Sequence, residues 1–163
     1  MKKAFTLILV LALCLSICSF APTAFAAGGS VLNIALDGQP EHLDVTMSSM
    51  DMASEVVFGS VFEKLVAFNG DSKVIPELAE SWETNEDNTV YTYHLRQGVL
   101  FHNGEEMKAA DVVASMNRWI DAAANANSLV GGAHFTAVDD YTVEIAMENG
   151  TLYLNEMIAG LGQ

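Results

Sequence analysis

Residues 91–113 read YTYHLRQGVLFHNGEEMKAADVV, and their pattern decides most of the fold. Tyr91, Tyr93 and Leu95 alternate with Thr92 and His94, the period of a strand with one buried face. Gly98 breaks that run, Val99-Leu100-Phe101 resumes it, and Asn103-Gly104 is a strong turn signal. The period then changes. Val112, Val113, Met116 and Ile120 recur at helical spacing, with Trp119 at the stripe edge, and predict a helix from 110 to about 123. Strand, turn and helix are specified here, yet the stretch holds no nucleophile, metal cage or phosphate loop.

Toward the C-terminus, residues 125–132 read as a loop. Residues 135–138 and 142–147 read as a hairpin turning at Asp139-Asp140, and Asn149-Gly150 ends it. Residues 152–161 start another apolar helix. Its face around Leu152, Leu154, Met157 and Ile158 is expected to be incompletely buried. The chain stops at Gln163 with neither a charged tail nor a cap, and it reads as interrupted.

Toward the N-terminus, residues 84–88 form a polar turn. Pro76 suits the first turn of a helix, and Glu77 and Glu80 would sit near its positive end, so residues 75–82 are expected to be helical, with Trp82 in the core. Residues 52–66 also predict a helix, from Val57, Val61 and Leu65 with Phe58 and Phe62 beside them. Gly59 weakens it by about 1 kcal/mol relative to Ala. A polar, Met-rich connector occupies residues 41–51. Before it, residues 31–36 read as a short buried strand.

The first 26 residues stand apart. Met1-Lys2-Lys3 is a positive start, residues 4–17 are apolar, and Ala24-Phe25-Ala26 offers small residues for cleavage. That is a secretory signal peptide, giving the boundaries 1–26 and 27–163. An uncleaved membrane anchor is the alternative. Both cysteines, Cys14 and Cys18, lie in this segment, so the exported part has no disulfide. Lipid attachment at Cys18 is a weaker reading, because Ile17 stands where a small residue is expected. The chain of 163 residues carries a formal charge of -14, and losing Lys2 and Lys3 makes it more negative. Such a balance repels nucleic acid and anionic lipid, and its scattered carboxylates read as a solvated surface.

Chemistry-bearing motifs are absent. His42, His94, His102 and His134 have no metal-site spacing, and no nucleophile elbow, phosphate loop or dinucleotide fingerprint occurs. Glu105-Glu106 and Asp139-Asp140 are paired only in sequence, since neighbours on a strand or turn point apart. The aromatics Phe101, Trp119, Tyr91, Tyr93 and Phe135 lie at core periodicity.

Six ordered elements resemble the N-terminal region of family 5 extracellular solute-binding proteins of ABC importers. They are Pro40-Glu41-His42-Leu43-Asp44, Val61-Phe62-Glu63-Lys64-Leu65-Val66, residues 74–83, residues 91–104, Ala110-Asp111-Val112-Val113, and residues 138–143. Val45 departs from the family's proline. Lys108 and Ala109 stand where a small polar cap is usual, so that helix start should be less well capped.

The resemblance implies an α/β (mixed α+β) chain. It would form part of a periplasmic-binding-protein-like fold, the N-terminal lobe portion and its extra subdomain, without the second lobe. It implies an extracytoplasmic, non-enzymatic binding component, with a peptide as solute and permease subunits as partners, acting as a monomer without cofactor. Ser48, Ser49 and Met50 then fall at the cleft edge as ligand-binding residues, and the loop at 125–130 is a second candidate. A stand-alone secreted interaction module and a carboxylate-dependent hydrolase remain as alternatives. A chain with one lobe is expected to bind no peptide usefully by itself.

Overall fold

The computed structural model describes residues 32–36, 38, 39, 44, 46 and 52–161. Residues 32–35 belong to one unit, and the described residues from Leu36 onward to a second. Residues 32–36 carry no regular structure, with Leu32 80% and Ile34 56% exposed, so the buried strand expected there is not formed. The proposed signal segment lies outside the described residues.

The second unit is organised by β4 (Val90–Leu95). Its strict alternation buries Tyr91, Tyr93 and Leu95 and leaves the intervening residues half-buried. β3 (Ala79–Thr84) flanks it on one side and β6 (Thr142–Ala146) on the other, with β5 (Phe135–Asp139) outermost. All three pairings are antiparallel, in the register Trp82↔Tyr93, Tyr93↔Val143 and Phe135↔Ile145. The hairpin expected at 135–147 is therefore present, as is the strand at 90–95.

α2 (Ala109–Ala122) lies against β5 and β6, and buries Ala109, Val112, Met116, Trp119 and Ile120. Trp119 is thus inside the stripe, not at its edge. The start of α2 is better held than expected, because the Asp111 carboxylate accepts the Lys108 backbone N–H at 2.9 Å. Asn117 fastens the helix to the sheet edge. Its Oδ1 accepts the Phe135 N–H at 2.7 Å, and its Nδ2 donates to the Phe135 carbonyl at 3.0 Å. Residues 124–130 are a helix, α3 (Ala124–Val130), and not a loop. Ala126 and Val130, one turn apart, are buried, and Gly131 ends it at φ 62°.

Residues 52–82 depart most from expectation. α1 (Met52–Val61) stops at Val61, and Leu65 and Val66 leave it for β1 (Val66–Phe68), paired with β2 (Val74–Pro76). The helix expected at 75–82 is two strands. Pro76 ends β2, where its missing N–H costs little, and Ala79 opens β3 with its N–H donated to the Leu65 carbonyl at 2.9 Å. Trp82 is half-buried against the core. The short β1–β2 pair has its own cover in α4 (Leu154–Leu161). Leu154 and Ile158 are fully buried, contrary to the exposed face expected, and each contributes about 1.5–3 kcal/mol by burial. Leu152 lies before the helix and is 67% exposed. The two central tyrosines reach toward the same region. The Tyr93 hydroxyl donates to Asn155 Oδ1 at 2.7 Å, and that of Tyr91 to the Thr151 carbonyl at 2.5 Å. Burial pushes both phenols above their ordinary pKa.

Candidate functional site: an apolar groove with an ionic rim

A groove of about 750 Å³ opens between the end of α1, the segment 97–107 and one side of α2. That volume lies within the usual range for small-molecule sites, about 300–1,000 Å³. Its first wall follows from how α1 ends. Phe62 N–H closes the last turn on the Phe58 carbonyl at 2.8 Å. Two residues on, the Glu77 carboxylate accepts the Lys64 N–H at 2.9 Å and takes the chain out of the helix. Val61 and Phe62 are left in the wall and substantially exposed, while Phe58 is buried and meets the Phe62 ring edge-on.

The second wall is a tight hairpin. The Phe101 N–H donates to the Glu105 carbonyl, Gly104 N–H to that of Phe101, and Met107 N–H to that of Val99, all at 2.8–2.9 Å. Leu100 and Phe101 consequently lie on the groove and remain exposed, so Phe101 is not the core aromatic expected. Glu106 pins the base. Its Oε1 accepts the Gly98 N–H at 2.9 Å and the Tyr141 hydroxyl at 2.8 Å, and its Oε2 accepts Lys108 Nζ at 2.9 Å. Lys108 also bonds the Tyr141 hydroxyl and lies 4.0 Å from that ring's centre. Lys108, then Tyr141 and Gly98, hold the Glu106 carboxyl down at about 2.

Leu65, Met107, Val112 and Met116, all core residues, line the groove from beneath. At the rim, Arg118 makes a two-pronged contact with Asp44, Nη1 to Oδ1 at 2.8 Å and Nη2 to Oδ2 at 2.5 Å. Thr46 donates its N–H and hydroxyl to the same Oδ1. Arg118 first, then Thr46, keeps the Asp44 carboxyl well below the usual carboxylate range. Apolar walls and permanently ionised rim groups suit recognition by shape and desolvation. Among the described residues there is no group of three or more potential metal ligands, and no helix long and apolar enough to cross a membrane.

Ser48, Ser49 and Met50 lie outside the described residues. The second candidate segment is α3, which is packed by Ala126 and Val130 and does not line the groove. Sequence reasoning missed the groove because Phe62, Leu100 and Phe101 sit in apolar runs indistinguishable from core. Asp44 was visible only as part of the Leu43-Asp44 element, with nothing to mark Arg118 as its partner.

The described part is thus a sheet-and-helix body with an apolar groove whose rim carries the Asp44–Arg118 ion pair. Residues 73–162 match the bacterial extracellular solute-binding proteins, family 5, in its middle region. The Di/tripeptide-binding protein 4 of Pseudomonas aeruginosa is 34% identical over 139 residues, covering 80% of this chain and 25% of that protein. Among solved structures, NikA from Brucella suis in complex with Fe(III)-EDTA superposes with a TM-score of 0.69 at 30% identity, over 81% of this chain and 26% of that one. DppA from Helicobacter pylori in complex with the peptide STSA gives 0.63 at 29%, over 76% and 28%. The chain belongs to the family 5 bacterial extracellular solute-binding proteins, as its motifs resembled. It spans about a quarter of the length of the relatives it matches.

Proposed function

We propose that this chain is part of the N-terminal lobe of an extracytoplasmic solute-binding protein that serves an ABC importer, with peptides as its solute. The match to family 5 across residues 73–162 is the observation that carries the reading. The apolar groove with its ionic rim supports it, because solute binding needs concave apolar surface and a few fixed polar groups. The peptide assignment draws on the relatives named for di- and tripeptides and on the structural relative that holds a peptide. Residues 1–26 direct export, and residues 27–163 form the binding segment. The protein acts as a non-enzymatic monomer that delivers its solute to permease subunits, with Ser48, Ser49 and Met50 at the cleft edge.

The test is calorimetric titration of the product of the complete reading frame with a mixture of di- and tripeptides. Saturable heat in the micromolar range is expected. Absence of binding, in a protein shown to be folded by circular dichroism, overturns the peptide reading.

A further inference from the structure

We propose that Asn149-Gly150 is a site of spontaneous deamidation, and that the fold makes it react ahead of the chain's two other Asn-Gly pairs, Asn69-Gly70 and Asn103-Gly104. Asparagine is thermolabile, and a following glycine favours its reaction because no Cβ shields the glycine nitrogen. The Gly150 nitrogen gives up its proton to base and attacks Asn149 Cγ. The new N–Cγ bond closes a five-membered imide while the Cγ–Nδ2 bond breaks, and Nδ2 leaves with a proton as ammonia. Water then opens the imide at either carbonyl, leaving aspartate or isoaspartate. Amide and water become acid and ammonia, with no oxidant or cofactor consumed.

The three pairs share one chemistry and differ in what holds them. Asn69 Oδ1 accepts the N–H groups of Asp71 and Lys73 at 2.9 and 3.0 Å, a turn that fixes its side chain. Asn103 is held at both ends of its amide. Its Oδ1 accepts the Glu105 N–H at 2.9 Å and its Nδ2 donates to Glu105 Oε2 at 2.8 Å. The attacking nitrogen is engaged there too, since Gly104 N–H donates to the Phe101 carbonyl at 2.9 Å. Asn149 and Gly150, by contrast, are exposed and lie outside any helix or strand. Neither the Asn149 side chain nor the Gly150 N–H has a hydrogen-bond partner among the described residues, so the Asn149 amide can swing onto the Gly150 nitrogen. The product matters to the fold. Met147 N–H and Thr151 N–H bond the Thr89 and Asn88 carbonyls at 2.7 and 3.0 Å and fix both ends of this segment, while Gly150 lies against the backbone of Asp87 and Asn88. Isoaspartate at position 149 runs the chain through an extra methylene between those anchors, and ordinary aspartate does not.

The experiment incubates the complete folded protein in warm, mildly alkaline buffer and follows each Asn-Gly peptide by mass spectrometry, with a parallel sample in denaturant. Folded, Asn149 should convert at least about tenfold faster than Asn69 or Asn103, because only the other two must first break local hydrogen bonds. In denaturant the three rates should converge. Conversion at Asn149 no faster than at Asn69 or Asn103 in the folded protein overturns the assignment. An equal lead for Asn149 in denaturant overturns it as well, since neighbours in sequence and not the fold then set the rate. The isoaspartate form, separated by ion exchange, is compared with the Asn149→Asp variant, which carries the same charge on an unaltered backbone. Its thermal midpoint should be the lower of the two, and equal midpoints would refute the strain placed on the segment between Met147 and Thr151.

Discussion

Replacing Gly150 with alanine should destabilise this chain by about 2–4 kcal/mol, although the change adds a single methyl group. Gly150 lies where the end of β6 passes the β3–β4 turn. A Cβ built there runs into the Asp87 carbonyl oxygen and lies 2.9 Å from both the carbonyl carbon and oxygen of Asn88. Ordinary contact begins near 3.4 Å. The obstructing atoms are backbone, so no rotamer change relieves the clash and the two segments must separate. Two hydrogen bonds hold them, Thr151 N–H to the Asn88 carbonyl at 3.0 Å and Met147 N–H to the Thr89 carbonyl at 2.7 Å.

Overpacking of this sort costs about 1–3 kcal/mol, and each weakened bond adds about 1 kcal/mol. Reduced freedom of the unfolded chain returns about 0.4–1 kcal/mol. The thermal midpoint, followed by circular dichroism, should therefore fall by about 4–16 °C at roughly 2–4 °C per kcal/mol for a chain of this size. Gly59→Ala is the control. It sits in α1 with nothing within 4 Å of the added carbon, and should be neutral or stabilise by up to about 1 kcal/mol. A Gly150→Ala midpoint equal to or above the wild type would refute the close approach on which the estimate rests.

Two further outcomes follow from the packing and charge of the same unit. Ile158→Ala should cost about 2–5 kcal/mol in chemical denaturation, because Ile158 is fully buried between α4 and the β1–β2 pair; a cost under about 1 kcal/mol would mean that α4 does not cover that pair. Glu106→Gln should remove an acid-dependent component of stability. The Glu106 pKa is depressed from 4.5 to about 2 in the folded protein, so its contribution is complete above pH 4.5 and is lost as pH falls toward 2. The gap in denaturation midpoint between wild type and variant should be widest above pH 4.5 and close near pH 2, and a gap independent of pH in that window would contradict the assignment.

Where side-chain period and burial agree over consecutive residues, the sequence alone determined the structure. Tyr91, Tyr93 and Leu95 alternate because β4 is central and one face meets the core; β6 shows the same period, and Asp139-Asp140 marks the turn of its hairpin with β5, of which only Phe135 is buried. The helical stripe from Val112 to Ile120 was equally legible. So was the family, because its six motifs are local strings of residues that keep their order.

Tertiary structure decided the rest. Pro76 permits either a first helical turn or a strand end, and what chose the strand was pairing with Val66 and the bond from Ala79 to Leu65. Helix α1 could have run to Val66 by its own period. It stops because Glu77, 13 residues away from Lys64, takes that residue's N–H. Segment 124–130 is polar enough to read as loop, yet burial of Ala126 and Val130 one turn apart makes it helical. The groove was invisible for the converse reason, since Phe62, Leu100 and Phe101 carry the signature of core residues and only the path of the chain leaves them uncovered. Local period reports which residues can share a face. Which faces meet, and which carboxylate captures which distant donor, depends on contacts between residues far apart in the chain, and these form only when the whole unit packs.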